Sequence, residues 1–247
     1  MEVHHHAHTA RKKWTHYFWE FIMLFLAVTL GFFVENQREH YIEHQREKQF
    51  IRSLANDVRA DIRHLETIIN NRDIRQVKAD SLISLINLPD RAKYGNEIYF
   101  NAIHMSRGLG IRLTPHDGTM LQLKNSGGMR LIRKRYVVDS IASYDANVRN
   151  LIRLGEVEDV IFYQYRDIAP NIFNGRVFDQ MLDENNSASR PSGNPALLSF
   201  DQSRLDNLNF SLYSIKLLNK GNRRDAKKLL KQAEQLLTLL EKEYHLE

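Results

Sequence analysis

Residues 17–34 read YFWEFIMLFLAVTLGFFV, a run of eighteen in which Glu20 is the single charge. An α-helix rises about 1.5 Å per residue, so the run taken from Trp14 is long enough to cross a hydrocarbon core of about 30 Å. Trp14, Tyr17 and Trp19 lie at one end, where aromatic side chains suit a membrane–water interface. A buried core helix is a poor alternative, because such a helix rarely stays this apolar on every side. A cleavable signal peptide fits the basic start Arg11-Lys12-Lys13 but not the exit, Gly31-Phe32-Phe33-Val34-Glu35, which lacks a small-x-small cleavage pattern. An uncleaved anchor is expected. With three basic residues before the span and only Arg38 in the ten after it, the positive-inside rule predicts a cytoplasmic N-terminus and a large extracytoplasmic part. In a Gram-negative cell that means the inner membrane and the periplasm.

Glu20 carries a cost inside a membrane unless it is protonated, paired, or turned toward a bundle or water. On a helical wheel it shares a face with Ala27 and Gly31, with Glu35 nearby. Ala27-x-x-x-Gly31 is a small-xxx-small pair, which lets two helix backbones approach closely. Three readings stay open: a boundary carboxylate snorkelling to Lys12, Lys13 or headgroups, a self-association face, or an ion pathway in a homo-oligomeric channel.

Beyond the span the chain is poor in helix breakers, with 11 Gly and 5 Pro in 247 residues. An all-α fold is expected, without an internal repeat. Apolar residues at Ile51, Leu54, Val58, Ile62, Leu65 and Ile69 step by three and four along one helix face. A break is expected at Asn70-Asn71. Thr114-Pro115-His116-Asp117 reads as a helix start ending at Ser126-Gly127-Gly128. Two or three helical segments follow, as far as Pro170. The Ser/Asn/Pro/Gly cluster at 185–195 is a surface loop or hinge, and two closing helices near 201–219 and 222–245 form a hairpin broken at Gly221. The expected organisation is a cytoplasmic His-rich basic tail (1–13), a transmembrane helix (14–34), a helical stalk (35–88) and a helical extracytoplasmic domain (89–247).

There is no cysteine, which removes disulfides, thiolate nucleophiles and Cys-type metal sites. No P-loop, dinucleotide fingerprint or G-x-S-x-G elbow occurs. Four weak signals for chemistry remain. His4, His5, His6 and His8 are imidazoles in a short tail and can ligate Zn²⁺, Ni²⁺ or Cu²⁺, although a tail that touches only headgroups is the plainer reading. His40-Tyr41-Ile42-Glu43-His44 matches a zinc-protease pattern in form, but sits on a charged stalk without the distal carboxylate such an enzyme needs. Ser126, Gly127 and Gly128, followed by Arg130, form either an anion-binding nest or a tight turn. Lys216, Lys220, Arg223, Arg224, Lys227, Lys228 and Lys231 give the closing segment a basic face, read as solvated rather than as a nucleic-acid surface. No cofactor is expected. The expected partners are the lipid bilayer, further copies of the chain, and a protein bound through the extracytoplasmic domain.

Three stretches carry a resemblance. The first is the opening MEVHHH with Lys13-Trp14-x-x-Tyr17-x-x-Glu20-Phe21 and the exit Gly31-Phe32-Phe33-x-Glu35. The second is Glu47-Lys48-x-Phe50-Ile51-x-Ser53-Leu54-x-x-Asp57-Val58-x-x-Asp61. The third is Leu121-x-Leu123-Lys124-Asn125-Ser126-Gly127-Gly128-Met129-Arg130-Leu131-Ile132, continuing to Ile141 and Tyr144. Over its first 150 residues the chain resembles an uncharacterised family of single-span, N-terminally anchored membrane proteins abundant in Bacteroidota. The resemblance implies an anchor, a helical extracytoplasmic domain and a Gram-negative host. It implies no activity. The function expected from these readings is a membrane-anchored, self-associating scaffold or interaction protein. A homo-oligomeric ion channel with Glu20 in its bundle is the first alternative, and a metal-dependent hydrolase a distant second.

Overall fold

The computed structural model describes residues 14–107 and 110–246. Among these the protein is all-α, apart from one isolated antiparallel bridge between Leu182 and Ala188. Helix α1 spans Trp14–Ile86, α2 Gly95–Ser106, α3 Gly118–Asn125, α4 Arg135–Ile168, α5 Gly175–Gln180 and α6 Gln202–Tyr244. The chain divides into two compact units, residues 1–49 and residues 50–247.

In the larger unit three long helices carry the core, and a strict alternation of three- and four-residue steps explains why. On α1 the buried seam runs through Ile51, Leu54, Val58, Asp61, Leu65, Ile68, Arg72, Arg75, Ala79, Leu82 and Ile86, with Ala55 buried beside it. On α6 it runs through Leu205, Leu208, Leu212, Ile215, Asn219, Asn222, Ala226, Leu229, Ala233, Leu236 and Leu240, with Ser211 buried beside it. This spacing, 3.5 residues on average, keeps one seam of each helix facing its neighbours. Helix α4 adds Val137, Ile141, Tyr144, Val148, Leu151, Glu158 and Tyr165 at the same rhythm.

The cross-links fix direction. Asn87 bonds Asn209, Asp80 pairs with Lys216 and Asp73 pairs with Arg223, each link seven residues from the next on both helices, so α6 runs antiparallel to α1. Helix α6 likewise runs antiparallel to α4, with Asn222 against Leu154 and Glu158 and Gln232 against Ser143 and Asn147. The apolar residues form two clusters. One holds Ile51 to Ile68 with Val137 to Leu151 and Ala226 to Leu240. The other holds Ala79 to Ile86 with α2, Tyr165 and Leu205 to Ile215. Arg72, Arg75, Glu158, Asn219 and Asn222 fall between them, while Asp61 lies within the first.

Several expectations are corrected. No break occurs at Asn70-Asn71, because Asn71 is used as a tertiary donor: its Nδ2 gives a hydrogen bond to the Gly110 carbonyl at 2.9 Å. The stretch expected as a stalk over 35–88 is core from residue 51, since its stripe is buried. Within that stripe Asp61 and Ile68 take the fully buried positions, and Ile62 and Ile69 flank them. Helix α3 starts at Gly118 rather than at Thr114-Pro115, and its cap comes from α1: Asp57 accepts the Thr119 N–H at 3.1 Å, while Asp117 makes no side-chain cap. Residues 135–168 form one helix, not two or three. Helix α6 is continuous through Gly221, so there is no closing hairpin. A helical Gly costs roughly 1 kcal/mol against Ala, and the burial of Asn219, Asn222 and Ala226 around it outweighs that.

The Ser/Asn/Pro/Gly stretch is a pinned loop. Asp183 accepts N–H bonds from Asn185 and Ser187, Arg190 pairs with Glu97 at 2.7 Å, and the Asn194 amide donates to the Ala92 carbonyl. Tyr99 closes this end, its hydroxyl donating to the Ala196 carbonyl and accepting from the Asn174 N–H.

Candidate functional site

The first unit presents the apolar span as a bare helix surface. Residues 14–34 are exposed except for half-buried Ile22. The helix is long and apolar enough to cross a membrane, and none of its most apolar window is buried, unlike the core helix of a soluble protein. Glu20 is paired within its own helix, 3.1 Å from His16 Nε2. Ala27 and Gly31 are exposed, and a Cβ added at Gly31 meets no atom within 4 Å. Glu35 accepts from Arg38 Nε at 2.9 Å.

The remaining sequence signals do not converge on one chemistry. His4, His5, His6 and His8 lie outside the described residues. His40 lies 3.8 Å from Glu43 and His44 lies 3.2 Å from Glu47, so the two imidazoles turn to different carboxylates. Among the described residues no group of three His, Cys, Asp or Glu side chains is placed to hold a metal ion.

Ser126 and Gly127 close α3. The Ser126 N–H and hydroxyl both donate to the Gln122 carbonyl, Gly127 takes the left-handed conformation at φ 68°, and Arg130 N–H returns to the Gly127 carbonyl. Gly128 is buried against Leu123. The stretch closes the helix, with the Ser126 donors and the Arg130 N–H used in the turn. The basic face of α6 is partly neutralised: Lys216 pairs with Asp80, Arg223 with Asp73, and Arg224 and Lys228 with Asp225.

The chemistry concentrates instead in two places on the buried stripe of α1. The first is Asp61. Its Oδ1 accepts the His116 N–H at 2.8 Å and lies 3.0 Å from His116 Nδ1, and its Oδ2 accepts the Tyr144 hydroxyl at 2.8 Å. Burial, together with the Asp61 charge and hydrogen bond, pushes the Tyr144 hydroxyl far above its ordinary value, so it remains a donor. Asp61 and Tyr144 belong to the second and third stretches that carry the resemblance, and here they meet as a structural bond.

The second is the polar layer between the two apolar clusters. Arg72 donates twice to Glu158, at 2.9 and 3.2 Å, once to the Ile111 carbonyl at 2.7 Å and once to Asn219 Oδ1 at 3.3 Å. Asn219 in turn donates to the Arg72 carbonyl at 2.9 Å, and Asn222 donates to Glu158 at 2.9 Å. Burial pushes the Glu158 carboxyl up, but the Arg72 hydrogen bonds and the charges of Arg72 and Arg75 overcome it and hold the group below its ordinary value.

Arg75 is poorly served by comparison. Only 4% exposed, it reaches Glu158 through Nη1 at 3.5 Å, and its Nε and Nη2 have no hydrogen-bond partner among the described residues. Burial pushes its guanidinium down, Glu158 opposes this, and Arg72 adds to it. Two buried guanidinium cations thus share one carboxylate.

Arg75 also lines a cavity of about 330 Å³ with Asn71, Ile74, His104, Arg107, Gly110 and Ile111. The cavity wall is built by the Asn71–Gly110 bond and the Arg72–Ile111 bond. Gly110 sits at φ 66°, and a Cβ there would come within 2.4 Å of the Asn71 amide nitrogen, so the wall requires glycine. His104 Nδ1 donates to the Phe100 carbonyl at 2.8 Å. Burial pushes its imidazole down, and Lys78 and Arg107 push the same way.

Comparison with known proteins finds no matching family model, curated protein or solved structure. The polar layer and the cavity therefore rest on geometry alone. Sequence reasoning missed both. The available signal was periodic: Asp61, Arg72 and Arg75 occupy steps of the stripe that otherwise holds only Ile, Leu, Val and Ala.

Proposed function

We propose that the chain is a membrane-anchored interaction protein that associates with further copies of itself through the span and presents its helical domain to a partner outside the cytoplasm. The observation that carries the reading is the exposed apolar helix near the N-terminus, which presents almost every side chain of residues 14–34 outward. Water does not tolerate such a surface, and a bilayer does. Arg11, Lys12 and Lys13 support a cytoplasmic N-terminus and a periplasmic domain in a Gram-negative inner membrane, as the resemblance to the Bacteroidota family also suggests. The open surface at Gly31, beside Ala27, supports close approach of a second helix. The His16–Glu20 pair supports a boundary role for the carboxyl, since it lowers the cost of placing Glu20 near the membrane edge. The reading is one of tethering and binding, without a reaction.

The test is the mass of the detergent-solubilised full chain, by light scattering, for wild type and Gly31→Leu. A defined oligomer that Gly31→Leu dissociates is expected. A wild-type monomer removes self-association and leaves a tethered binding module. Release of the wild type from membranes by alkaline carbonate, without detergent, sinks the anchoring itself.

A further inference from the structure

A buried guanidinium is costly unless its donors and its charge are both met. Among the described residues Arg72 also leaves its Nε unpartnered, but Arg75 leaves two nitrogens unpartnered and holds its carboxylate only at 3.5 Å. Its carboxylate is shared with Arg72, which holds Glu158 at shorter distances and with two hydrogen bonds. Its Nε and Nη2 are shut off from water and unpartnered among the described residues. Among the described residues Glu158 is the carboxylate whose charge bears on Arg75. If the polar layer served only to set helix register, a neutral side chain would serve at this step, as Asn219 and Asn222 do on α6. The cationic group instead borders a cavity, where Arg107 adds a second guanidinium, His104 an imidazole and Asn71 an amide.

We propose that this cavity is a binding site for a small soluble molecule carrying a carboxylate or phosphate group, with Arg75 as the buried charge that receives the oxyanion. A guanidinium suits the oxygens of such a group, and a bound oxyanion supplies the charge that the shared Glu158 does not. The volume of about 330 Å³ exceeds a bare ion and suits a ligand with a few further heavy atoms. Ile74 and Ile111 provide apolar lining beside the charged groups. The inference concerns the helical domain alone and does not depend on the anchoring or self-association of the span.

The experiment is titration calorimetry of the full chain in neutral detergent with inorganic phosphate and with acetate, ionic strength being held constant with sodium chloride. Saturable binding of at least one of the two is expected. In Arg75→Met the affinity should fall by about tenfold or more, the usual loss when a charged hydrogen bond is removed. Arg75→Met should keep the wild-type helix content in chloride, because it removes an uncompensated charge. If that variant does not fold, the double variant His104→Gln/Arg107→Gln provides the same test from the other side of the cavity, with the same expected direction. Absence of saturable binding in the wild type, or equal affinity in wild type and variant, overturns the proposal. Binding of phosphatidylglycerol in mixed micelles that depends on Arg75, with none of free phosphate or acetate, moves the oxyanion to a lipid headgroup and overturns the soluble ligand.

Discussion

Asp61 and Arg75 stand fourteen residues apart on α1, at the same step of one buried stripe, and each brings a charge into the interior. Asp61 is met by three donors from two other parts of the chain, none of them a formal cation when His116 is neutral. Arg75 is met by one oxygen that is already shared. Equal burial with unequal satisfaction separates two uses of a buried charge. Asp61 knots the segment before α3 to α1 and α4, so its carboxylate is part of the fold. Arg75 shares its one carboxylate, leaves two nitrogens unpartnered among the described residues, and lines a cavity.

The largest expected effect comes from the carboxylate that stands between these cases. Glu158→Gln removes the anion of the polar layer and leaves Arg72 and Arg75 buried together, which should cost about 3–5 kcal/mol. Urea unfolding of the full chain in detergent, followed by far-UV circular dichroism, measures it. The same group gives a pH dependence. Its folded pKa lies below its unfolded value, so the folded state binds fewer protons and the contribution to stability is complete above the unfolded carboxylate range near pH 4.3. It is lost as pH falls through the folded value. Glu158→Gln should flatten that part of the profile; an unchanged acid limb would mean that other carboxylates dominate it.

Next in size is Asp61→Ala, which strands the His116 N–H and the Tyr144 hydroxyl. The buried hydroxyl at roughly 1–3 kcal/mol, with a smaller share for the part-buried N–H, places the loss at about 2–4 kcal/mol. The double variant Asp61→Ala/Tyr144→Phe should recover part of it, because the stranded hydroxyl is gone. Strict additivity of the two changes would show that the Asp61–Tyr144 bond contributes little.

Arg75→Met reverses the sign and sharpens the contrast. Replacing an ill-paired buried charge with an apolar chain of similar length should stabilise the protein in chloride buffer by about 1 kcal/mol or more. A loss comparable to that of Asp61→Ala would make Arg75 a structural residue like Asp61.

The all-α class and the apolar span were legible in the sequence because both are signals of composition and local periodicity. The three- and four-residue rhythm on α1 was legible as well, but its phase was not: Ile62 and Ile69 read as core by hydrophobicity, while Asp61 takes the buried step because Tyr144 and His116, more than fifty residues away, complete it. The same non-local logic hid the continuity of the helices. Asn71 and Gly221 are breakers by local propensity; Asn71 is held by Gly110, and the helix continues through Gly221 because Asn219 and Asn222 on either side of it bond Arg72 and Glu158. The capping of α3 by Asp57 is a third instance, since the local Thr114-Pro115 signal loses to a carboxylate on another helix. The polar layer was illegible for a related reason. Arg72, Glu158 and Asn219 are unremarkable singly, and only the register of three helices makes them one network.

The smallest expected effect tests how that register is set. Asp73, Asp80 and Asn87 meet Arg223, Lys216 and Asn209 at intervals of seven on both helices, along the exposed edge of the α1–α6 seam. Partly exposed ion pairs contribute roughly 0.2–1 kcal/mol and are screened by salt. Asp80→Asn should therefore cost a few tenths of a kcal/mol, a difference that shrinks in 1 M sodium chloride, and the exchange Asp80→Lys/Lys216→Asp should restore most of it. Such a result leaves the register to the buried layer, where Asn219 holds both the side chain and the carbonyl of Arg72. A loss in Asp80→Asn as large as that in Glu158→Gln would transfer the role to the outer ladder, and the buried charges of α1 would then need another reason to exist.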